Sequence, residues 1–448
     1  MLKSILIANR GEIARRIIRT AKLLGVETIA VYSDIDEKSL FVQEADKALR
    51  IGEDRPKDSY LNIERIIAAA KESGASAIHP GYGFLSERWE FAQRCESEGL
   101  ILVGPSSEVI HKMGDKYRSR EIATSLGIPI PPGSGILGNV EEAREWAARL
   151  CFPVLFKASA GGGGIGMVKV EGAKEVAEAF DTATNRARLA FGDERVYVEK
   201  YLESPHHIEI QILGDKDGNV VTFAERECSV QRRHQKVIEE SPSPFATSEL
   251  RHELRHAARR LAQGIGYTNA GTVEFVVDKN RHFYFLEINA RLQVEHPITE
   301  MITGIDLVEQ QIKIASGESL LVREDGLGWR GWAIESRVYA EDSENFYPSP
   351  GKIASYVEPR GEGIRVDSGY QAGHTVSQFY DPLIAKLVVW GEDRNKAIIR
   401  MRHALDDYEI TGIKNNIPFL RKAFDSAIFK SGNYDTHFVA KLKEGENG

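Results

Sequence analysis

The sequence predicts a mixed fold, α/β at its N-terminal end and α+β beyond it, divided into several units. Three observations carry this. Strand and helix signals alternate over the first 110 residues, a Pro- and Gly-rich stretch breaks the chain near residue 130, and strand signals dominate after residue 204. Strands alternating with helices form parallel βαβ units with right-handed crossovers. A length of 448 residues suits about three domains, or one elaborate chain with subdomains.

Leu2–Ala8 is apolar and β-compatible, and Gly11–Leu24 has helical spacing with Ile13, Ile17 and Leu24 on one face. Strands follow at Thr28–Tyr32, Ser76–Ile78 and Leu100–Val103, with helices at Leu61–Lys71 and Glu87–Glu98 between them. The turn Asn9-Arg10-Gly11-Glu12 stands where a phosphate-binding turn would, but it lacks G-x-G-x-x-G. The linker spans Gly127–Asn139. A unit of helix (Val140–Leu150), strand (Val154–Ala158), glycine loop, strand (Met167–Val170), helix (Ala173–Leu189) and strand (Arg195–Lys200) comes next. Strands are then expected at Ile208–Leu213, Val220–Glu227, Gly271–Asp278 and His282–Asn289, and Trp332–Lys441 reads as strands with Gly and Pro turns.

Composition excludes some classes. The chain has 58 basic and 66 acidic residues, a net charge of −8, where a nucleic-acid-coating protein carries a basic excess. Apolar runs such as Ile66–Ala70 fall far short of the roughly 18 residues of a membrane span. No signal-peptide cleavage site follows Met1. Cys95, Cys151 and Cys228 are too scattered for a metal cluster or a disulfide framework. A cytoplasmic location fits.

Four constellations could carry chemistry. In the first, the strand ending at Lys157 leads into Gly161, Gly162, Gly163, Gly164, Ile165, Gly166 and Met167. Successive glycine N–H groups can turn toward one anion, and a lysine adds a point charge for phosphate. In the second, two apolar strands flank a polar turn. With a Lys279–His282 loop, Glu274 lies directly opposite Glu287, and like charges so placed repel unless a cation such as Mg²⁺ lies between them; a register one residue away would instead leave one glutamate in solvent. The third is an alternating row of Glu287, Asn289, Arg291, Gln293 and Glu295, which an extended chain would spread over ~26 Å of one face. It includes an anion clamp, Arg291, and a candidate base, Glu295; the plainer reading is a solvated strand face. The fourth is the cationic run Arg232, Arg233, His234 and Lys236, which also suits a surface patch. Arg337 alone reads as an outward strand residue.

Together, Ile7–Ala14, His79–Glu87, the 157–167 loop, Glu225–Lys236 and Glu287–Pro297 resemble the biotin carboxylase family of the ATP-grasp superfamily. The similarity runs from Leu2 to about His437. The resemblance implies a Rossmann-like βαβ subdomain (1–112), a lid with its linker (113–203), an ATP-grasp core (204–330) and a C-terminal subdomain (331–448). It implies ATP with Mg²⁺ or Mn²⁺, bicarbonate, and biotin on a carrier protein supplied in trans, since no Ala-Met-Lys-Met-like motif occurs here. It also implies carboxyltransferase partners and a homodimer, with no nucleic acid or membrane partner.

By motif, nucleotide contacts fall on Lys116, Lys157, Glu199, Lys200, Leu202, His207, Gln231 and His234, with the glycine loop over the phosphates. Metal ligands fall on Glu274, Glu287 and Asn289. The bicarbonate pocket falls on Lys236, Arg291, Gln293 and Val294, the general base on Glu295, and biotin enolate stabilisation on Arg337. Ile165 departs from the family, many of whose members have a basic residue there. A different bicarbonate-activating ATP-grasp ligase would share the lysines and glutamates without needing the Arg291–Glu295 row and Arg337.

Overall fold

The computed structural model describes residues 1–160, 166–233, 235–323 and 327–445. Its N-terminal sheet is parallel, in the order β3-β2-β1-β4-β5: β1 (Ser4–Ile7), β2 (Glu27–Ser33), β3 (Lys47–Gly52), β4 (Ala77–His79) and β5 (Ile101–Leu102). Parallel neighbours need crossover connections. These are α1 (Gly11–Leu23), α2 (Leu40–Glu44), α3 (Ile63–Ser73) and α4 (Trp89–Ser97). α1 buries Ile13, Ala14, Ile17 and Ile18, as its spacing predicts. The turn before it ties loops together. Asn9 Nδ2 donates to the carbonyls of Pro80 and Tyr82, both at 2.7 Å, and Arg10 pairs with Asp36 at 2.7 Å.

Helices α5 (Ser107–Gly114) and α6 (Lys116–Ser125) lead through the linker to a small antiparallel sheet, β7-β6-β8. Its strands are β6 (Val154–Ala158), β7 (Val168–Val170) and β8 (Val196–Lys200). α7 (Val140–Leu150) and α8 (Val176–Phe191) cover it, giving a separate core that includes Ala143, Ala147, Val154, Phe156 and Ala183. Gly162, Gly163, Gly164 and Ile165 lie outside the described residues, as does His234. Gly166 has φ +82, a conformation that favours glycine, and Met167 beside it is half-buried.

The remaining chain builds an eight-stranded antiparallel sheet in the order β13-β12-β9-β10-β11-β14-β19-β17. These are β9 (His206–Gly214), β10 (Val220–Arg232), β11 (Gln235–Ser241), β12 (Asn269–Val277), β13 (Phe283–Asn289), β14 (Trp332–Tyr339), β17 (Ile364–Ser368) and β19 (Leu383–Gly391). Two short ribbons pair β15 (Gly351–Lys352) with β18 (Thr375–Val376), and β16 (Ser355–Val357) with β20 (Glu409–Thr411). α9 (Ser248–Gly264) packs on β9 and β10, while α10 (His296–Thr303) and α11 (Leu307–Ala315) follow β13. Among the described residues no helix is long and apolar enough to cross a membrane.

Three expectations change. β3 and α9 were not anticipated from the sequence. Among the described residues the C-terminal region holds four helices beside its strands: α12 (Arg394–Asp407), α13 (Ile417–Asp425), α14 (Ala427–Ser431) and α15 (Phe438–Glu444). Finally, the extended row does not continue to Glu295. β13 stops at Asn289, and α10 starts at His296 with Pro297 in its first turn.

Candidate active site

The β12–β13 hairpin places Glu274 directly opposite Glu287, with Thr272 opposite Asn289. The route differs from the expected one. The loop closes a residue early, with Asp278 N–H donating to the His282 carbonyl at 2.9 Å and Arg281 at φ +66. Near the turn, Phe275 therefore faces Phe285, one residue out of the expected register. Leu286 is an extra residue in β13, a bulge that restores the pairing at the glutamates.

The row extends across the sheet. Glu274 also faces Glu209 on β9, and Glu209 faces Arg226 on β10. Three carboxylates side by side need cations. Arg226 is fully buried and donates Nε to Glu209 at 2.5 Å. Lys236 on β11 reaches three carboxylates at once: Glu209 at 2.5 Å, Glu274 at 3.0 Å and Glu295 at 2.7 Å. Burial pulls the Lys236 ammonium toward losing its proton, but Glu209, Glu274 and Glu295 outweigh it and hold its pKa well above the usual lysine value.

Leaving the sheet at Asn289 folds the polar row back on itself. Asn289 Nδ2 and Gln293 Nε2 both donate to Glu274 Oε1, at 2.7 and 3.1 Å. Arg291 donates to Gln293 Oε1 at 2.9 Å and pairs with Glu87 at 3.0 Å. Glu295, fully buried, is held from its other side by Arg337 at 2.9 Å. Burial would raise the Glu295 pKa, but Lys236, Arg337 and Arg226 hold it well below the carboxylate range, so it stands ionised. Arg337 is anchored a second time by Glu239 Oε1, at 2.6 Å. His296, the sequence's other possible base, is fully buried, with Nδ1 2.8 Å from the Gln293 carbonyl. Burial and then Lys386, Arg16 and Arg365 press its pKa well down, so it stays neutral.

The predicted nucleotide residues line the other side. Glu199 on β8 accepts from Lys157 at 3.0 Å and Arg120 at 2.8 Å. Lys200 turns its ammonium onto the carbonyls of Cys151, Phe152 and Pro153, the nearest at 2.8 Å. Leu202 is half-buried just beyond. His207 Nε2 lies 2.8 Å from Glu274 Oε2, and Gln231 Nε2 donates to His207 Nδ1 at 2.8 Å. Lys116 pairs with Glu287 at 3.0 Å. One base between two cations, beside paired carboxylates, suits activation of a small oxyanion.

Comparison with known proteins decides the family. Residues 1–110 match the Biotin carboxylase, N-terminal domain, residues 115–323 the Carbamoyl-phosphate synthase L chain, ATP binding domain, and residues 335–441 the Biotin carboxylase C-terminal domain. Biotin carboxylase 2 of Bacillus subtilis is 50% identical over 440 residues, covering 98% of this chain and 99% of that one. The chain belongs to the biotin carboxylase family.

The biotin carboxylase of Halalkalibacterium halodurans is 49% identical over 451 residues, covering 100% of this chain and 100% of that protein. Among solved structures, a biotin carboxylase–β,γ-ATP complex from Campylobacter jejuni superposes with a TM-score of 0.97 at 47% identity, covering 98% of this chain and 99% of that one. The biotin carboxylase domain dimer of the Hydrogenobacter thermophilus 2-oxoglutarate carboxylase, with MgADP, ADP and bicarbonate, gives 0.96 at 47%, covering 99% and 98%.

As a biotin carboxylase, the chain offers an all-oxygen donor set in Glu274, Glu287 and Asn289, which suits a hard divalent cation. Lys236, His207 and Lys116 already lean on the two carboxylates, as expected where negative charge is concentrated. Sequence reasoning gave no role to Glu209, Arg226, Glu239 or Glu87. Glu209 had a signal, because His207, Glu209 and Gln211 alternate along one strand. Glu239 had none, since it is buried only once β14 covers β11.

Proposed function

We propose that this chain catalyses MgATP-dependent carboxylation of biotin N1′ by bicarbonate, as the first half-reaction of a multi-subunit carboxylase. The observation that carries this reading is the Glu295 carboxylate, buried and ionised between Lys236 and Arg337. Lys236, Arg291, Gln293 and the Val294 backbone form the bicarbonate pocket. Glu295 takes the bicarbonate proton while the ATP γ-phosphoryl group passes to the bicarbonate oxygen, giving ADP and carboxyphosphate. A divalent ion held by Glu274 and Glu287, beside Asn289, would neutralise phosphate charge. Carboxyphosphate then yields CO₂ and phosphate. Phosphate accepts the N1′ proton of biotin, Arg337 stabilises the resulting enolate, and N1′ attacks CO₂.

Residues 113–203 act as the lid that excludes water from carboxyphosphate. The separate core within residues 137–198 supports this reading for that part, while Met113, Ala123 and Ile128 pack into the core of the large sheet. Lys116, Lys157, Glu199, Lys200, Leu202, His207, Gln231 and His234 meet the nucleotide, with Gly162, Gly163, Gly164, Gly166 and Met167 above its phosphates. The Lys200 side chain is engaged with carbonyls and its N–H with the Pro132 carbonyl. Biotin arrives on a carrier in trans, and free biotin is a poor substrate because it lacks tethering. A homodimer is the assembly we expect.

The test measures ADP release and carboxybiotin in parallel. Glu295→Gln should retain ATP binding and lose about 10²–10⁴ in both rates. Arg337→Ala should keep slow bicarbonate-dependent ADP release yet form no carboxybiotin. Carboxylation by Glu295→Gln at the native rate would sink the assignment.

A further inference from the structure

The segment 290–295 carries Arg291, Gln293 and Glu295, yet it has left the sheet ladder, which ends at Asn289. Something else must hold it. The carbonyls of Leu292, Gln293 and Val294 accept from Arg291 (3.2 Å), His296 (2.8 Å) and Lys386 (3.0 Å) respectively. Arg291, itself paired with Glu87, belongs to the segment and His296 adjoins it at the start of α10, whereas Lys386 reaches in from a distant strand, β19.

Lys386 is fully buried, an unusual place for a lysine. Its second contact is Glu12, at 3.1 Å, near the start of α1, and the Tyr82 hydroxyl donates to the other Glu12 oxygen. Lys386 also sits directly opposite Arg337 in the β14–β19 ladder. Cross-strand neighbours share a face, and like charges there repel. Two adjacent cations persist because each has its own acceptors. Arg337 holds the Glu295 carboxylate at 2.9 Å, and Lys386 holds the carbonyl immediately before Glu295. The base is thus gripped at its side chain by one strand residue and at its backbone by that residue's cross-strand neighbour.

We propose that Lys386 is a positioning residue for the general base, fixing the Val294 carbonyl so that Arg291, Gln293 and Glu295 converge on one bicarbonate. The inference rests on the role given above to Glu295. The competing account is that Lys386 only neutralises Glu12 and Asp367, the latter facing it from β17 and keeping Arg365 as a partner when Lys386 is lost. The two accounts separate in the double variant Glu12→Gln/Lys386→Met. It removes both buried charges together, which restores much of the stability lost when one is left alone. It does not restore a donor to Val294.

The experiment follows ATP turnover with bicarbonate varied at saturating biotin, and ATP varied separately, alongside thermal midpoints. Lys386→Met should lose roughly 100-fold in kcat/KM for bicarbonate, the scale of a 1 Å misplacement, with the ATP KM within about threefold of wild type. The double variant should regain thermal stability and keep the bicarbonate defect. Glu12→Gln retains the Lys386–Val294 bond and should stay within about threefold of wild type for bicarbonate, deciding the matter if neither lysine variant folds. A double variant that uses bicarbonate like wild type, or a Glu12→Gln variant as impaired as Lys386→Met, overturns the proposal. Glu295→Gln in the same assay separates the failures: if it too is as fast as wild type, the base assignment is what has failed.

Discussion

The two facing glutamates are chemically alike but differently housed. Glu274 is buried and accepts from Lys236, Asn289 and Gln293 on one oxygen, with His207 at the other. Burial would raise its pKa, but Lys236 and His207 hold it well below the carboxylate range. Glu287 meets Lys116 and is about a quarter exposed. Conversion to Gln should therefore have unequal effects. Glu287→Gln should raise the Mg²⁺ concentration needed for turnover and leave the thermal midpoint near wild type. Glu274→Gln should also strip Lys236 and His207 of a partner, costing roughly 3–5 kcal/mol as broken buried ion pairs do. Mg²⁺ titration of turnover beside calorimetric melting checks this, and equal melting temperatures for the two variants would contradict it.

At the level of elements, the link between α6 and β8 offers a second test. Arg120 shares Glu199 with Lys157, also donates to the Pro131 carbonyl at 3.0 Å, and lies over the Tyr197 ring. Without Arg120, the whole Glu199 charge would fall on Lys157 and draw it away from a phosphate. Arg120→Met should therefore raise the ATP KM by about tenfold, the scale of one charged hydrogen bond, while the bicarbonate KM moves little. An unchanged ATP KM would show that the two cations hold Glu199 independently. How legible these elements were depends on what the local pattern records. The pattern of two apolar runs flanking a polar turn revealed the β12–β13 hairpin and its facing glutamates. It could not reveal that a shorter loop and a bulge at Leu286 compensate each other, because both depend on backbone geometry at Arg281 and Leu286. Alternation of polar and apolar residues misled beyond Asn289, where an extended row and a folded-back cluster have one sequence pattern. α9, though not anticipated, had a signal, since Leu250, Leu254, Ala258 and Leu261 recur at helical spacing among its arginines. β3 was not, being an edge strand whose first four residues, Lys47 to Arg50, are not buried. Arg337 and Lys386 gained meaning only when β11, β14 and β19 aligned, a long-range pairing that no local pattern records.

The whole molecule should carry an acid-sensitive term from histidines locked neutral inside it. His79, at the end of β4, is fully buried and accepts the Gly81 N–H on Nδ1 at 3.0 Å, fixing the turn that leads to Tyr82. Burial lowers its pKa to about 3. Since the unfolded value lies near 6.5, the unfolded chain takes up a proton between those values that the folded chain refuses. Stability from His79 is therefore complete above pH 6.5 and is lost as pH falls toward 3, at about 1.4 kcal/mol per pH unit. The bare stability curve would mask this. Burial raises the carboxyls of Glu12, Glu209 and Glu335, and lifts Glu239 to about 7; these groups act with the opposite sign, stabilising the folded state at low pH. A difference curve cancels them. His79→Asn keeps an acceptor near Nδ1 but cannot titrate. The stability gap between wild type and His79→Asn should shrink steadily from pH 6.5 to 4, by about 1.4 kcal/mol per unit, in denaturant unfolding at matched ionic strength. A gap that stays constant across that range would mean His79 is not held neutral in the folded enzyme.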